Sequence, residues 1–138
     1  MTNMLRKILF TLVAVLTLSV GAQAQQTIDL KQEIEAFNKQ CPMADDGYTI
    51  DRAFLSDKDM EFHMTMDYPA SQATAIQKTF DQMRPALLKE FVGDAQSRKM
   101  FKAAAEQGYG FSLWIHCKAE PLNFVRLIYT AQELKGAL

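Results

Sequence analysis

From Met60 to Tyr68 the chain alternates without a break: Met60, Phe62, Met64, Met66 and Tyr68 fall on one side, and Glu61, His63, Thr65 and Asp67 on the other. Successive side chains of a strand point to opposite faces, so this run predicts a strand with one face in an apolar core and the other wet or covered by polar groups. One-sided alternation is the habit of antiparallel sheets, because parallel strands are covered on both faces and read as continuous apolar runs.

The flanking segments are ordered around that strand. Leu30, Ile34, Phe37 and Cys41 recur at helical spacing behind Asp29, a candidate N-cap, which predicts a helix over about Leu30 to Gln40 that Pro42 closes. Asp45-Asp46-Gly47 reads as a turn, Tyr48 to Leu55 as a strand, and Ser56 to Asp59 as a hairpin turn. From Ala70 onward Ile76, Phe80, Met83, Leu87 and Phe91 follow helical steps, and Pro85 predicts a kink or two abutting helices. Asp94 caps a further helix that Gly108 ends. Tyr109 to Cys117 alternates again, Asn123 to Thr130 is β-rich, and Ala131 to Lys135 adds a helical turn. The order α-β-β-α-α-β-β predicts an α+β fold, an antiparallel four-stranded sheet with helices on one face.

The N-terminus carries an address. Arg6 and Lys7 precede an apolar run from Ile8 to Val20 and a small-residue end, Gly21-Ala22-Gln23-Ala24, the pattern of a cleavable secretory signal peptide. The run is shorter than the roughly 20 residues that cross a bilayer, and no basic stop-transfer cluster follows. The expected organisation is a signal peptide at 1–24 and one domain at 25–138, periplasmic or secreted, with no stable membrane span after processing. Cleavage removes two of the 15 basic residues and none of the 16 acidic ones, leaving a net charge of −3. That balance offers no cationic footprint for nucleic acid.

Cys41 and Cys117 both survive processing, and an oxidising compartment makes a bridge between them an expectation, set against two buried thiols acting as small apolar groups. Closing that loop would contribute about 4 kcal/mol by the chain-entropy account.

The stretch Asn38-Lys39-Gln40-Cys41-Pro42-Met43, followed by Asp46-Gly47-Tyr48-Thr49-Ile50 and a hairpin behind the leader, resembles small exported bacterial α+β domains of uncharacterised function. The resemblance implies a helix, an Asn-x-x-x-Pro segment, a turn, a hairpin, helices and a closing hairpin, and implies no catalytic residues.

The sequence holds no phosphate loop, no closely spaced metal-ligand pair and no nucleophile elbow. His63 and His116, the only histidines, each sit on the side of their strand opposite the apolar row, and would lie within reach if the two strands are neighbours. Arg52 and Arg126 interrupt otherwise apolar rows, as anion contacts or as side chains snorkelling at a sheet edge. The leading reading is a non-enzymatic exported or envelope-associated module that binds a protein, glycan or small ligand on the open sheet face. Trp114, His116, His63 and Arg126 are its candidate contacts, with no cofactor and no metal. One alternative is a small periplasmic hydrolase or isomerase with His63 or His116 as general base, assisted by Asp67 or Glu61. Another is a copper or redox carrier using Met60, Met64 and Met66 with His63, which the alternation opposes by sending the imidazole to the other face.

Overall fold

The computed structural model describes residues 28–138, so the leader pattern lies outside the described residues. Helix α1 spans Leu30–Lys39, where Asp29 accepts a hydrogen bond from the Gln32 amide as N-cap and Leu30, Ile34 and Phe37 form the buried stripe. Three extended segments follow: β1 (Met43–Asp45), β2 (Tyr48–Leu55) and β3 (Asp59–Met66). Gly47, at φ 85°, supplies the left-handed residue that the β1–β2 turn needs. Helices α2 (Ala73–Gly93) and α3 (Ala95–Glu106) come next, then β4 (Gly110–Cys117), β5 (Phe124–Tyr129) and a closing helix α4 (Ala131–Ala137). Asp94 caps α3 through the Ser97 amide, and Thr130 and Glu133 form a reciprocal capping box at α4.

The α+β class holds, but the sheet differs from the expected one in two ways. It has five strands in the order β1-β2-β3-β4-β5, and β3 and β4 run parallel at its centre. The extra strand is short and follows Pro42, with no alternation to reveal it. The parallel pairing follows from the connection: a strand that returns through a long crossover can enter beside its predecessor in the same direction, which a hairpin cannot do. Helix α2 runs as one helix through Pro85 rather than as two. Contacts to β5 hold it beside the proline: the Arg84 guanidinium donates to the Ile128 carbonyl, and the Tyr129 hydroxyl donates to the Arg84 carbonyl.

One core lies between the helices and the inner sheet face. Met60, Phe62, Met64 and Met66 of β3 point into it, with Phe111, Leu113, Ile115 and Cys117 of β4 and Val125, Leu127 and Tyr129 of β5. Phe62 meets Phe37 of α1 edge to face at 5.3 Å, and Phe91, Phe101 and Phe111 form a second ring cluster. The cysteines are not bridged. Cys117 is fully buried with its thiol donating to the Tyr68 carbonyl at 3.0 Å, while Cys41 is half-buried behind the C-terminal end of α1. Cys41 lies just before β1 and Cys117 ends β4, with β2 and β3 between those strands, so the expected disulfide is not present.

Side-chain amides cover one exposed backbone position on each side of the sheet. Asn38 of α1 accepts from the Ala53 amide at 2.7 Å and donates to the Ala53 carbonyl at 2.9 Å, on the part of β2 that the short β1 leaves uncovered. Gln77 of α2 does the same for Arg126 of β5, at 2.8 Å in each direction. Each carboxamide stands in for the peptide group of a missing strand.

Candidate functional site

With the helices on one face, the outer face of the sheet stays open, and its composition is set by register. Arg52 of β2 pairs with His63 of β3, His63 with Trp114 of β4, and Trp114 with Arg126 of β5, so the four form one row across the strands. At about 4.8 Å per strand the row spans roughly 14 Å from end to end. Thr65, His116 and Phe124 form the next row. Trp114, His116, His63 and Arg126, singled out in the sequence, therefore lie together.

A β-bulge completes the row. Register shifts between Ile50 and Arg52, leaving Asp51 as the extra residue, and Asp51 and Arg52 both face outward. Asp51 accepts from the Thr65 hydroxyl at 2.7 Å. The broken alternation at Asp51-Arg52 was the sequence signal for this, and without reading it as a bulge neither Arg52 nor Phe54 could be placed beside His63.

The two imidazoles meet head-on. His63 Nδ1 and His116 Nε2 are 2.9 Å apart, the ring centroids 5.2 Å, and the planes differ by 20°. The centroid separation is little more than the nitrogen separation plus the two ring radii, so the rings lie edge to edge and nearly coplanar, sharing one hydrogen. There is no room on that line for a metal ion, and among the described residues no cluster of three metal-ligating side chains exists. His116 Nδ1 lies 2.9 Å from the Pro121 carbonyl, which can only accept, so Nδ1 carries the hydrogen. In neutral His116 the Nε2 lone pair then accepts from His63 Nδ1. This leaves His63 Nε2 as a second lone pair, 3.5 Å from the Glu61 carboxylate.

The pair is thus one proton short of full satisfaction. A proton on His63 Nε2 would pair with Glu61, but burial opposes the charge. Burial is the largest influence holding the His63 pKa below its ordinary value; His116 adds to it, while Glu61 and Asp51 act the other way.

Rings enclose the pair. Trp114 lies parallel to His63 at 5.4 Å, Phe54 meets His63 edge to face at 5.3 Å, and Phe124 packs on Trp114 at 5.0 Å. Phe54 and Phe124 remain 40% and 39% exposed, enough for a ligand to touch. Arg52 lies over Phe54 at 4.3 Å and Arg126 over Trp114 at 5.4 Å. The Trp114 indole donates to Ser112.

Other candidates separate. Met60, Met64 and Met66 are buried on the inner face, across the sheet from His63, so thioethers and imidazole do not converge. Asp67 is exposed beyond the end of β3, whereas Glu61 stays beside His63. An open groove of about 540 Å³ runs along β5, lined by Gln77, Asp81, Arg84, Phe124, Arg126 and Ile128 among others. Three of its polar side chains are engaged within the fold, Gln77 and Asp81 with each other, Gln77 also with the Arg126 backbone, and Arg84 with Ile128 and Glu133, while the Arg126 guanidinium belongs to the row on the outer face.

Among the described residues no helix is long and apolar enough to cross a membrane. No protein-family model matches the sequence, and no curated protein matches it significantly. A crystal structure of a Pseudomonas aeruginosa protein, described as a "putative secreted protein", is similar in fold, with a TM-score of 0.53 and 13% identity over 76% of this chain and 88% of that one. At that identity the similarity shows the fold alone.

Proposed function

We propose that the chain is an exported, non-catalytic binding module that holds its ligand on the uncovered sheet face. One observation carries the reading: Arg52, His63, Trp114 and Arg126 line up across the outer face of the central strands. Parallel strands are ordinarily covered on both faces, and here the outer cover is only a single layer of rings and guanidinium groups. Tryptophan, arginine and exposed phenylalanine are the residue types that binding surfaces use. Export is supported by the leader pattern and agrees with the description given to the fold neighbour.

The test is amide chemical-shift mapping of the purified protein against a mixture of short peptides, monosaccharides and small organic acids. Perturbations centred on Trp114 and lost in Trp114→Ala are expected. Perturbations confined to the β5 groove, or none anywhere, would overturn the reading.

The Glu61 carboxylate beside His63 favours a second reading, general-base catalysis in a hydrolase or isomerase. The pair sits on an open surface rather than in a water-excluding cleft, which places this second. A substrate whose turnover is abolished by His63→Gln while its binding persists would reverse the order.

A further inference from the structure

Resting on the binding-face reading, we infer that the row from Arg52 to Arg126 takes a small acidic ligand built on an aromatic or apolar body, and that His63, hydrogen-bonded to His116, takes up one proton as that ligand binds.

The charges on the face are unevenly satisfied. Asp51 is held by the Thr65 hydroxyl, and Glu61 faces His63. Arg52 and Arg126 have no ion-pair partner among the described residues: each guanidinium lies on a ring and is exposed to solvent. A guanidinium stacked on a ring keeps its in-plane N–H donors free, and those donors match a carboxylate, sulfonate or phosphate in a planar fork. The rings add to this. Side chains stand roughly perpendicular to a sheet, so aromatic groups here offer solvent their edges, which are the positive part of the ring quadrupole. An anion finds donors at both ends of the row, and an apolar body finds Phe54, Trp114 and Phe124 between them.

The proton uptake follows from the geometry of the pair. The groups facing His63 are Glu61 on its own strand, Asp51 and Arg52 on β2, and His116 on β4, with Arg126 of β5 on the far side of Trp114. His63 Nε2 is a lone pair toward a carboxylate, and a proton there satisfies every nitrogen of the chain that runs from Glu61 through both rings to Pro121. The unliganded face opposes that charge chiefly by burial, with His116 adding to it, against the pull of Glu61 and Asp51. An anion held by the guanidinium groups adds negative charge to that of Glu61 and Asp51 beside His63, so binding and protonation favour one another.

Two dyes with the same phenylnaphthylamine body, anilinonaphthalenesulfonate and uncharged N-phenylnaphthylamine, separate the parts of the inference. Trp114 is the only tryptophan, so transfer of its emission to the dye reports this face. The sulfonate is expected to bind about fivefold or more tightly than the uncharged dye, an advantage that high salt removes from the unaltered protein and that Arg52→Gln and Arg126→Gln each reduce. Its affinity should rise between about pH 7.5 and about pH 5.5, and His63→Gln should abolish the rise. Equal affinities for the two dyes, indifferent to salt and to both arginines, would overturn the acidic ligand while leaving the binding face intact. A sulfonate affinity flat with pH would overturn the proton uptake. No transfer from Trp114 to either dye would remove the inference and the binding-face reading together.

Discussion

Gln77 and Arg126 meet as two strands would: the side-chain carboxamide of one exchanges a pair of 2.8 Å hydrogen bonds with the backbone of the other. Asn38 and Ala53 repeat the arrangement on the opposite side of the sheet. Backbone groups on an open edge invite pairing with a second chain, and here those of Ala53 and Arg126 meet a helix residue instead.

Gln77→Ala and Asn38→Ala should each cost about 1 kcal/mol by denaturant unfolding, because water recovers part of each lost hydrogen bond. Asn38→Asp should cost more than Asn38→Ala, since it sets a carboxylate against the Ala53 carbonyl. Both alanine variants should also self-associate at concentrations where the parent stays monomeric by light scattering. An aspartate variant as stable as the alanine one would remove the strand-mimic account.

Gly110 opens β4 where its Cα faces the backbone of Tyr129 and Thr130 so closely that an added methyl group would collide with the Tyr129 carbonyl oxygen. The obstacle is backbone on a paired strand, which cannot swing aside as a side chain can. Gly110→Ala should therefore cost about 2 kcal/mol or more. Gly93, which has nothing near its Cβ position, should accept alanine at little cost, and chemical denaturation of the two variants compares them directly.

Titration should reveal two opposing slopes. The folded pKa of His63 lies below its ordinary value, chiefly through burial, so below about pH 6.5 the unfolded chain binds the proton more readily. Stability from this source is complete above that pH and is lost as pH falls through it. Glu33 acts in reverse: it is only 4% exposed, with no partner for Oε2, and burial followed by repulsion from Asp29 raises its pKa. Its neutral form favours the folded state in acid, and that contribution fades as pH rises through the raised value. Melting temperatures from about pH 8 to about pH 4.5 should show His63→Gln less acid-sensitive than the parent and Glu33→Gln relatively more stable near neutrality. Parallel curves for parent and variants would contradict both assignments.

Thiol counting checks the cysteines. A non-reduced sample should yield two free thiols on denaturation. In the folded state Cys41, half-buried and with its pKa raised mainly by burial, should react slowly with a disulfide reagent, and Cys117 only as fast as the domain opens. A mass two hydrogens short would show the bridge that this fold lacks.

Local elements were legible because short-range chemistry dictates them. The alternation of β3, the Asp29 and Asp94 caps and the stop at Gly108 each have a cause within a few residues, and each is observed. Pairing is another matter. Nothing local to Met60 or Phe111 reveals that they sit side by side and point the same way along the sheet, and β1 is too short to show a period. The site was visible in the same measure. Its residue types stood out, whereas the meeting of His63 with His116, and of His63 with Arg52, depended on the β3–β4 register and on one inserted residue at Asp51.

The parallel centre of the sheet also bears on how the chain reaches its native state. Asp59 of β3 finds its neighbour only in Gly110, so the N-terminal hairpin lacks its inner partner until nearly the last quarter of the polypeptide has been made. A nascent fragment ending after α3 would hold Met60, Phe62 and Met64 beside an empty lane, with no complete interior to settle into. The chain emerging from the ribosome therefore completes its interior only once β4 and β5 have been made.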